Sequence, residues 1–434
     1  MTNRFTPLKL VANRTHHPAV FVITALGILL AAPPCFPQTA GIPDAGNVGV
    51  PINGAFSGSN VDSVQLNNGN LHIDIPLLDV PGLGIPIHIH FIYDNKVWNY
   101  ASDPPADTYT VNQDRSPSFV SYPGNVYYSA ATTSPVVVCG TQSYPDTYLT
   151  HMSFVDEEGT AHPFNVNGYI ATSPPCDYAP APTLMYAADS SGILANRTPN
   201  QDTLANAITK NGTVYTFPAF ENVGIEDSNG NKLTAVTTSN KTTSTATITD
   251  TAGRVFTIVG EYQYGYQPTS IGYTDQNGAP QTITISYTTL AVNTAPLCAM
   301  ETGFQCVPTV GSSVYVPSVI TLPGGYTYTF TFQPNSLVDL ESLTLPTGGV
   351  ISWTYGQTDV SGDKVLTRTV VANGQTSLWK YKYAMSATQG ANTSNLVTVT
   401  DPFLNDTQYT CTIYAPNPLG LPSTAQLQPC YMTK

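Results

Sequence analysis

His88 and His90 stand two residues apart, and His72 and Asp74 repeat that spacing sixteen residues earlier. Residues i and i+2 of a β-strand project from one face, so each pair would present two polar side chains together. If the two strands pair antiparallel, four ligand-type groups converge, and imidazoles with a carboxylate are a donor set for zinc or copper. A competing account makes them the polar face of two amphipathic strands, whose other face carries Ile73, Ile75, Ile87 and Ile89. That account is the stronger of the two, and no cofactor is expected.

Aromatic rows are the second candidate. Trp353 and Tyr355, and Trp379, Tyr381 and Tyr383, recur at every second position and could stack on sugar rings. The preferred account places them on the packed face of a sheet, where cross-strand aromatic pairs contribute about 0.2–1 kcal/mol each. The Trp379–Tyr383 row alternates with Lys380 and Lys382 and is the one expected to face solvent on one side. Asp227-x-Asn229-Gly230-Asn231 starts like a calcium loop but lacks the later ligands. Asp250-Thr251-Ala252-Gly253 is one residue from an aspartic-protease motif and has no second copy. Both read as hairpin turns. The chain has no Gly-x-Ser-x-Gly elbow, His-Glu-x-x-His helix or phosphate loop. A non-enzymatic role is therefore expected, with a hydrolase of dispersed site as the weaker option.

The elements that would position these residues are clearest at Ile320–Gly356. Leu322-Pro323 and Leu345-Pro346 each lead into a Gly-Gly turn and an alternating aromatic strand. Tyr326, Tyr328, Phe330 and Phe332 fall on one face and Thr327, Thr329 and Thr331 on the other, the period of a half-buried strand. Turns of the Asp/Asn-x-Gly kind recur through the chain, at Asn211-Gly212, Asp227–Gly230, Asp250–Gly253, Asp275–Gly278 and Asn373-Gly374. Asp401-Pro402-Phe403-Leu404 begins the same way without the glycine. These are worn copies of one hairpin unit, and single hairpins must pair on into a continuous sheet to be stable.

Composition agrees. Charged residues make up only 10% of the 434, while Gly (33), Pro (36) and Tyr (26) are plentiful. Three of the fifteen basic residues and none of the twenty-eight acids lie in the first forty positions, which leaves the remainder at −16. So acidic a chain is not a nucleic-acid binder. Arg4, Lys9 and Arg14 precede an apolar run from Ala19 to Ala32, too short to span a bilayer and of the length of an export signal. Cleavage is expected between 32 and 40, with the product secreted or held at the cell surface. No later segment is long enough to cross a membrane. Beyond Cys35, the six cysteines Cys139, Cys176, Cys298, Cys306, Cys411 and Cys430 suit disulfides in an exported chain. Fifteen connectivities exist; sequence neighbours (139–176, 298–306, 411–430) are the simplest.

The organisation read from the sequence is thus an export segment (1–40), lead-in hairpins (41–100), irregular Pro-, Tyr- and Ser-rich insertions with a hairpin at 153–164 (101–206), degenerate repeats (207–415) and a tail (416–434). Pro76 and Pro86 lack a donor and belong at edges, strand ends or bulges.

Leu-Pro-Thr-Gly-Gly at 345–349, Asp-x-x-Gly-Arg-x-Phe at 250–256 and Tyr-Thr-Asp-x-x-Gly at 273–278 resemble the repeats of the RHS/YD-repeat proteins. The run from Val61 to Leu77 and the strand ending Phe91-Ile-Tyr-Asp-Asn-Lys-Val-Trp98 are similar to that family's N-terminal lead-in. The resemblance covers roughly 45–415 and is weakest at 101–206. It implies an exported bacterial protein whose repeats form a long strip of β-sheet curling into a shell, with a downstream RHS core or toxin segment as partner. Nothing in this sequence resembles the terminal core block or a toxin module. Surface glycans are the alternative partner, through the aromatic rows. The fold class expected is all-β, consecutive antiparallel hairpins in a long twisted or curled sheet with disulfide-stapled insertions.

Overall fold

Alternating apolar and polar residues between tight turns give a sheet with one dry face, and the chain folds that way for most of its length. The computed structural model describes residues 55–433 apart from 97, 102–107, 112–117, 134–135, 140–141, 146, 165, 171–179, 218–221, 265–266, 300–305, 335, 360–361, 386–391 and 415–425. The expected export segment lies outside the described residues. Among them the fold is all-β. Nineteen antiparallel strands, from Leu184–Tyr186 to Gln426–Thr433, form one long sheet in which each strand pairs with its neighbours in the chain. The two end strands pair on one side only, so the sheet is not closed.

Four of the turns share one device. Asp156, Asp227, Asp275 and Asp401 each accept, through Oδ1, the backbone N–H groups two and four residues on, at 2.8–3.0 Å. The residue three after the aspartate then turns back with positive φ: Gly159, Gly230 and Gly278. Where the glycine is missing, at Leu404, the backbone still takes φ 66°. The side chain there is 78% exposed, so packing gives nothing back. The Asp227 "calcium loop" is this same turn, closed by Asn231 Nδ2 donating to Asp227 Oδ2 at 2.8 Å.

The lead-in forms a separate five-stranded sheet: β1 (Phe56–Gly58), β2 (Asp62–Gln65), β3 (Leu71–Val80), β4 (Ile87–Asp94) and then Ser118–Ser121. Its apolar face (Ile73, Ile75, Ile87, Ile89, Phe91) and that of the long sheet (Ile248, Ile271, Ile283, Ile320, Phe330) make a single core. Fully burying one such side chain contributes about 1.5–3 kcal/mol. Phe91 lies 5.1 Å from Phe330, and Tyr93 5.9 Å from Phe332, ring to ring. The aromatic row of the repeat thus meets a matching row from the lead-in.

Polar groups fasten the two sheets at their ends. Tyr93 Oη donates to Val338 O at 2.7 Å and accepts from Leu340 N at 3.0 Å. The buried Lys96 donates from Nζ to Gly362 O at 2.7 Å. Gly69 has φ 74°, and a Cβ there would stand 2.6 Å from Lys364 Cβ, so both conformation and close approach require glycine. Further along the same strand, Arg368 donates to both oxygens of Asp62, at 2.5 and 2.7 Å, and its guanidinium lies 4.7 Å from the Trp379 ring centre. Both partners are buried.

The stretch 101–206, expected to be irregular around one hairpin, carries more regular structure. Tyr127–Thr133, Tyr148–Val155, Ala161–Phe164 and Gly168–Tyr169 form a four-stranded sheet. The first strands of the long sheet, Leu184–Tyr186 and Leu194–Arg197, also fall here. They share a second core of Leu149, Met152, Phe154, Phe164, Ala195 and Leu204. The strands are short and one is broken by a bulge between Leu149 and His151, which erases the period-2 signal. Pro76 sits at a bulge and Pro86 just before β4, both positions where a missing N–H is tolerated.

Arg368→Leu should lower the unfolding free energy by about 3–5 kcal/mol in chemical denaturation, because Asp62 is left buried and unpaired. The double change Asp62→Leu with Arg368→Leu should recover much of that loss. Leu404→Gly should raise stability by roughly 1 kcal/mol in the same assay, by removing the left-handed strain of a branched residue.

Candidate functional site

The β3–β4 hairpin decides which polar residues meet. Before Pro76, even-numbered residues of β3 point away from the core; the bulge between Pro76 and Leu78 reverses this, so that Leu78 turns inward and Asp79 outward. Asp79 therefore lies opposite His88, while Pro76 lies opposite His90. His88 Nδ1 is 2.6 Å from Asp79 Oδ1, and His90 Nε2 is 3.2 Å from the same oxygen. His90 Nδ1 is held by Asp74 Oδ1 at 2.7 Å. The hydrogen bond His90 donates to Asp74, with help from Asp79, pushes the imidazole up to about 9 against its partial burial. Partial burial works the other way on Asp79, but hydrogen bonds from His88 and His90 hold its carboxyl below the usual range.

Of the four residues singled out in the sequence, three come together and His72 does not. His72 is buried against Asp94, Nδ1 to Oδ1 at 3.1 Å. Asp94 also accepts from Asn70 Nδ2 at 2.5 Å, so His72 belongs to the polar web at the end of the lead-in sheet. Asp79 was missed because strict alternation puts it on the apolar face. The available signal was Pro76, whose missing N–H in mid-strand points to a bulge and a reversal of faces.

A second histidine is clamped nearby. His162 Nδ1 is 2.6 Å from Asp189 Oδ2, and its Nε2 is 3.1 Å from Asp156 Oδ2. Burial opposes its charge, yet the two carboxylates raise it to about 9. Phe154 stacks on its ring at 5.9 Å between centres. Next along that turn, Glu157 is pushed up to about 7, first by burial and then by Asp156 and Glu158. Glu157 hydrogen-bonds Tyr215, whose hydroxyl is driven above its ordinary range by burial and by those acids. Both line a cleft of about 370 Å³ with Gly84, Pro86, His88 and Asp227. This cleft offers a carboxyl that exchanges its proton near neutral pH, with an imidazole at its rim.

The aromatic rows lie mostly on the packed face. Trp353 is 2% and Tyr381 3% exposed, both inside the core. Tyr355 donates its hydroxyl to Leu340 O at 2.8 Å. Trp379 and Tyr383 are half-buried against the same core. Among the cysteines, Cys298 and Cys306 are bridged, beside the short helix Ala295–Cys298. Strand register places Cys411 directly opposite Cys430. Cys139 ends the strand Val136–Cys139, opposite Gln142, and Cys176 lies outside the described residues.

These protonation equilibria set the pH response. Glu157 has a folded-state value above its unfolded one, so its favourable contribution is present below about 4.5 and lost as pH rises through about 7. His162 contributes fully below about 6.5, and its contribution disappears as pH rises through about 9. Unfolding free energy measured by urea denaturation should fall between these limits. Glu157→Gln should flatten the lower part of that slope and His162→Gln the upper part.

No protein-family model matches the sequence, and no curated protein matches it. Among solved structures the chain is similar to the crystal structure of TcdB2-TccC3, at 12% identity and a TM-score of 0.18, over 86% of this chain and 23% of that one. This chain thus spans about a quarter of that protein's length, and a likeness at this TM-score carries no argument about chemistry.

Proposed function

We propose that the chain is a non-enzymatic, exported β-repeat protein of the RHS/YD type, serving as a shell segment or surface element. The observation that carries this reading is the long sheet: nineteen strands in chain order, three of whose joins are Asp-x-x-Gly turns (227–230, 250–253 and 275–278), with the lead-in sheet laid on one face. Such an arrangement encloses or displays; the motifs at 250–256, 273–278 and 345–349 give it its family likeness. Among the described residues each end strand of the sheet has a strand neighbour on one side only, which suits a further repeat or core segment as partner. Among the described residues no helix is long and apolar enough to cross a membrane.

The glycan-binding alternative has less support, because Trp353 and Tyr381 are in the core and Trp379 is stacked under Arg368. Cell fractionation with N-terminal sequencing tests the proposal. The chain should be recovered outside the cytoplasm, beginning between residues 33 and 41, and should leave polysaccharide and peptide panels intact. A chain retained in the cytoplasm with its first forty residues, or one that turns over any substrate in those panels, would overturn it.

A further inference from the structure

We propose that Asp79, His88 and His90 form a binding site for a divalent transition-metal ion of the zinc or copper(II) class. Two imidazoles with a carboxylate are a donor set this class takes. One ligand atom from each residue lies within 4.8 Å of the others. Asp79 Oδ1 is 2.6 Å from His88 Nδ1 and 3.2 Å from His90 Nε2. In a tetrahedral site with bonds of about 2.0–2.2 Å, neighbouring donors stand about 3.4 Å apart. Both carboxylate–imidazole distances are therefore within about 1 Å of the spacing an ion needs.

The backbone does the placing. β3 and β4 are consecutive strands of one hairpin with fixed register, and the Pro76 bulge turns Asp79 towards the histidines. The two rings stand nearly edge to face, 5.9 Å between centres at 83°, and His88 Nδ1 and His90 Nε2 both face Asp79 Oδ1. Asp74 supplies what metal-binding histidines generally have, a carboxylate on the other ring nitrogen. Its bond to His90 Nδ1 at 2.7 Å leaves Nε2 as the donor aimed at Asp79. Asp74 is thus a positioning residue. His88 and Asp79 are each about half exposed, 52% and 51%, so an ion can enter and a water or small anion can complete the coordination. His88 also lines the cleft that holds Glu157, which places that open position beside it. The inference does not depend on the proposed shell function.

The test uses the untagged full chain, stripped with a chelator and titrated with zinc by calorimetry, the ion counted by mass spectrometry after desalting. The native chain should hold about one zinc per chain. His88→Gln and Asp79→Asn should each remove that ion, with the circular dichroism of the metal-free chain unchanged. Asp74→Asn should keep the stoichiometry and weaken affinity about 10–100-fold. Cobalt substitution should give the visible absorption of a tetrahedral site, absent in His88→Gln. A native stoichiometry well below one, or an ion retained unchanged in both His88→Gln and Asp79→Asn, would overturn the proposal.

Discussion

A sheet of nineteen strands has two faces, and only one can be left to water. Its apolar face, from Leu233 and Ile248 through Ile271 and Ile320 to Val397, is buried because the lead-in sheet lies on it. The rest of the structure depends on this contact. Hairpins joined in a row form easily, since each strand meets the next after a short turn. They bury little until a second layer arrives. Phe91 and Tyr93 bring that layer to Phe330 and Phe332, and Tyr93, Lys96 and Arg368 make the polar bonds that set its position. Buried charges such as Lys96 and Asp62 are tolerated only where a partner is waiting, so they favour one placement over neighbouring registers.

The turns solve the other half of the problem. An aspartate that accepts two backbone N–H groups makes a turn almost independent of its surroundings, which explains why one motif recurs at Asp156, Asp227, Asp275 and Asp401 while the strands between vary. Those carboxylates at Asp227, Asp275 and Asp401 are held below the usual range by the hydrogen bonds they accept. Leu404 shows how strong the device is, since a branched residue is forced into the left-handed region to complete it.

The polar side of the lead-in sheet is where chemistry collects. Asp79, His88 and His90 share one carboxylate oxygen, and the acidic turn at Asp156–Gly159 brings Glu157 to the neighbouring cleft. A sheet built of hairpins needs neither feature for its core. Their presence on the hairpin that covers the long sheet links the layer holding the fold together to the groups able to take a ligand.

Alternation and turn chemistry are local, and so they were legible: the all-β class, the packed aromatic row at Tyr328, Phe330 and Phe332, the turns, and the bridge between Cys298 and Cys306 as sequence neighbours; Tyr326, expected in that row, sits at the turn and is 63% exposed. Short strands at 127–169 were not, because two to eight residues broken by bulges and prolines leave no period to read. Nor was the separation of His72 from His90, which follows from Asp94 meeting His72 in the buried web while Asn70 donates to the same carboxylate. The sequence by itself determined strands, turns and their order, since those rest on contacts a few residues long. Where a bulge reverses the dry face, that Asp79 joins two histidines, and that the lead-in lies across strands as far as Phe330 and Trp353 were decided only by tertiary structure. Bulges reverse faces, and sheet-on-sheet packing joins residues that no local pattern relates.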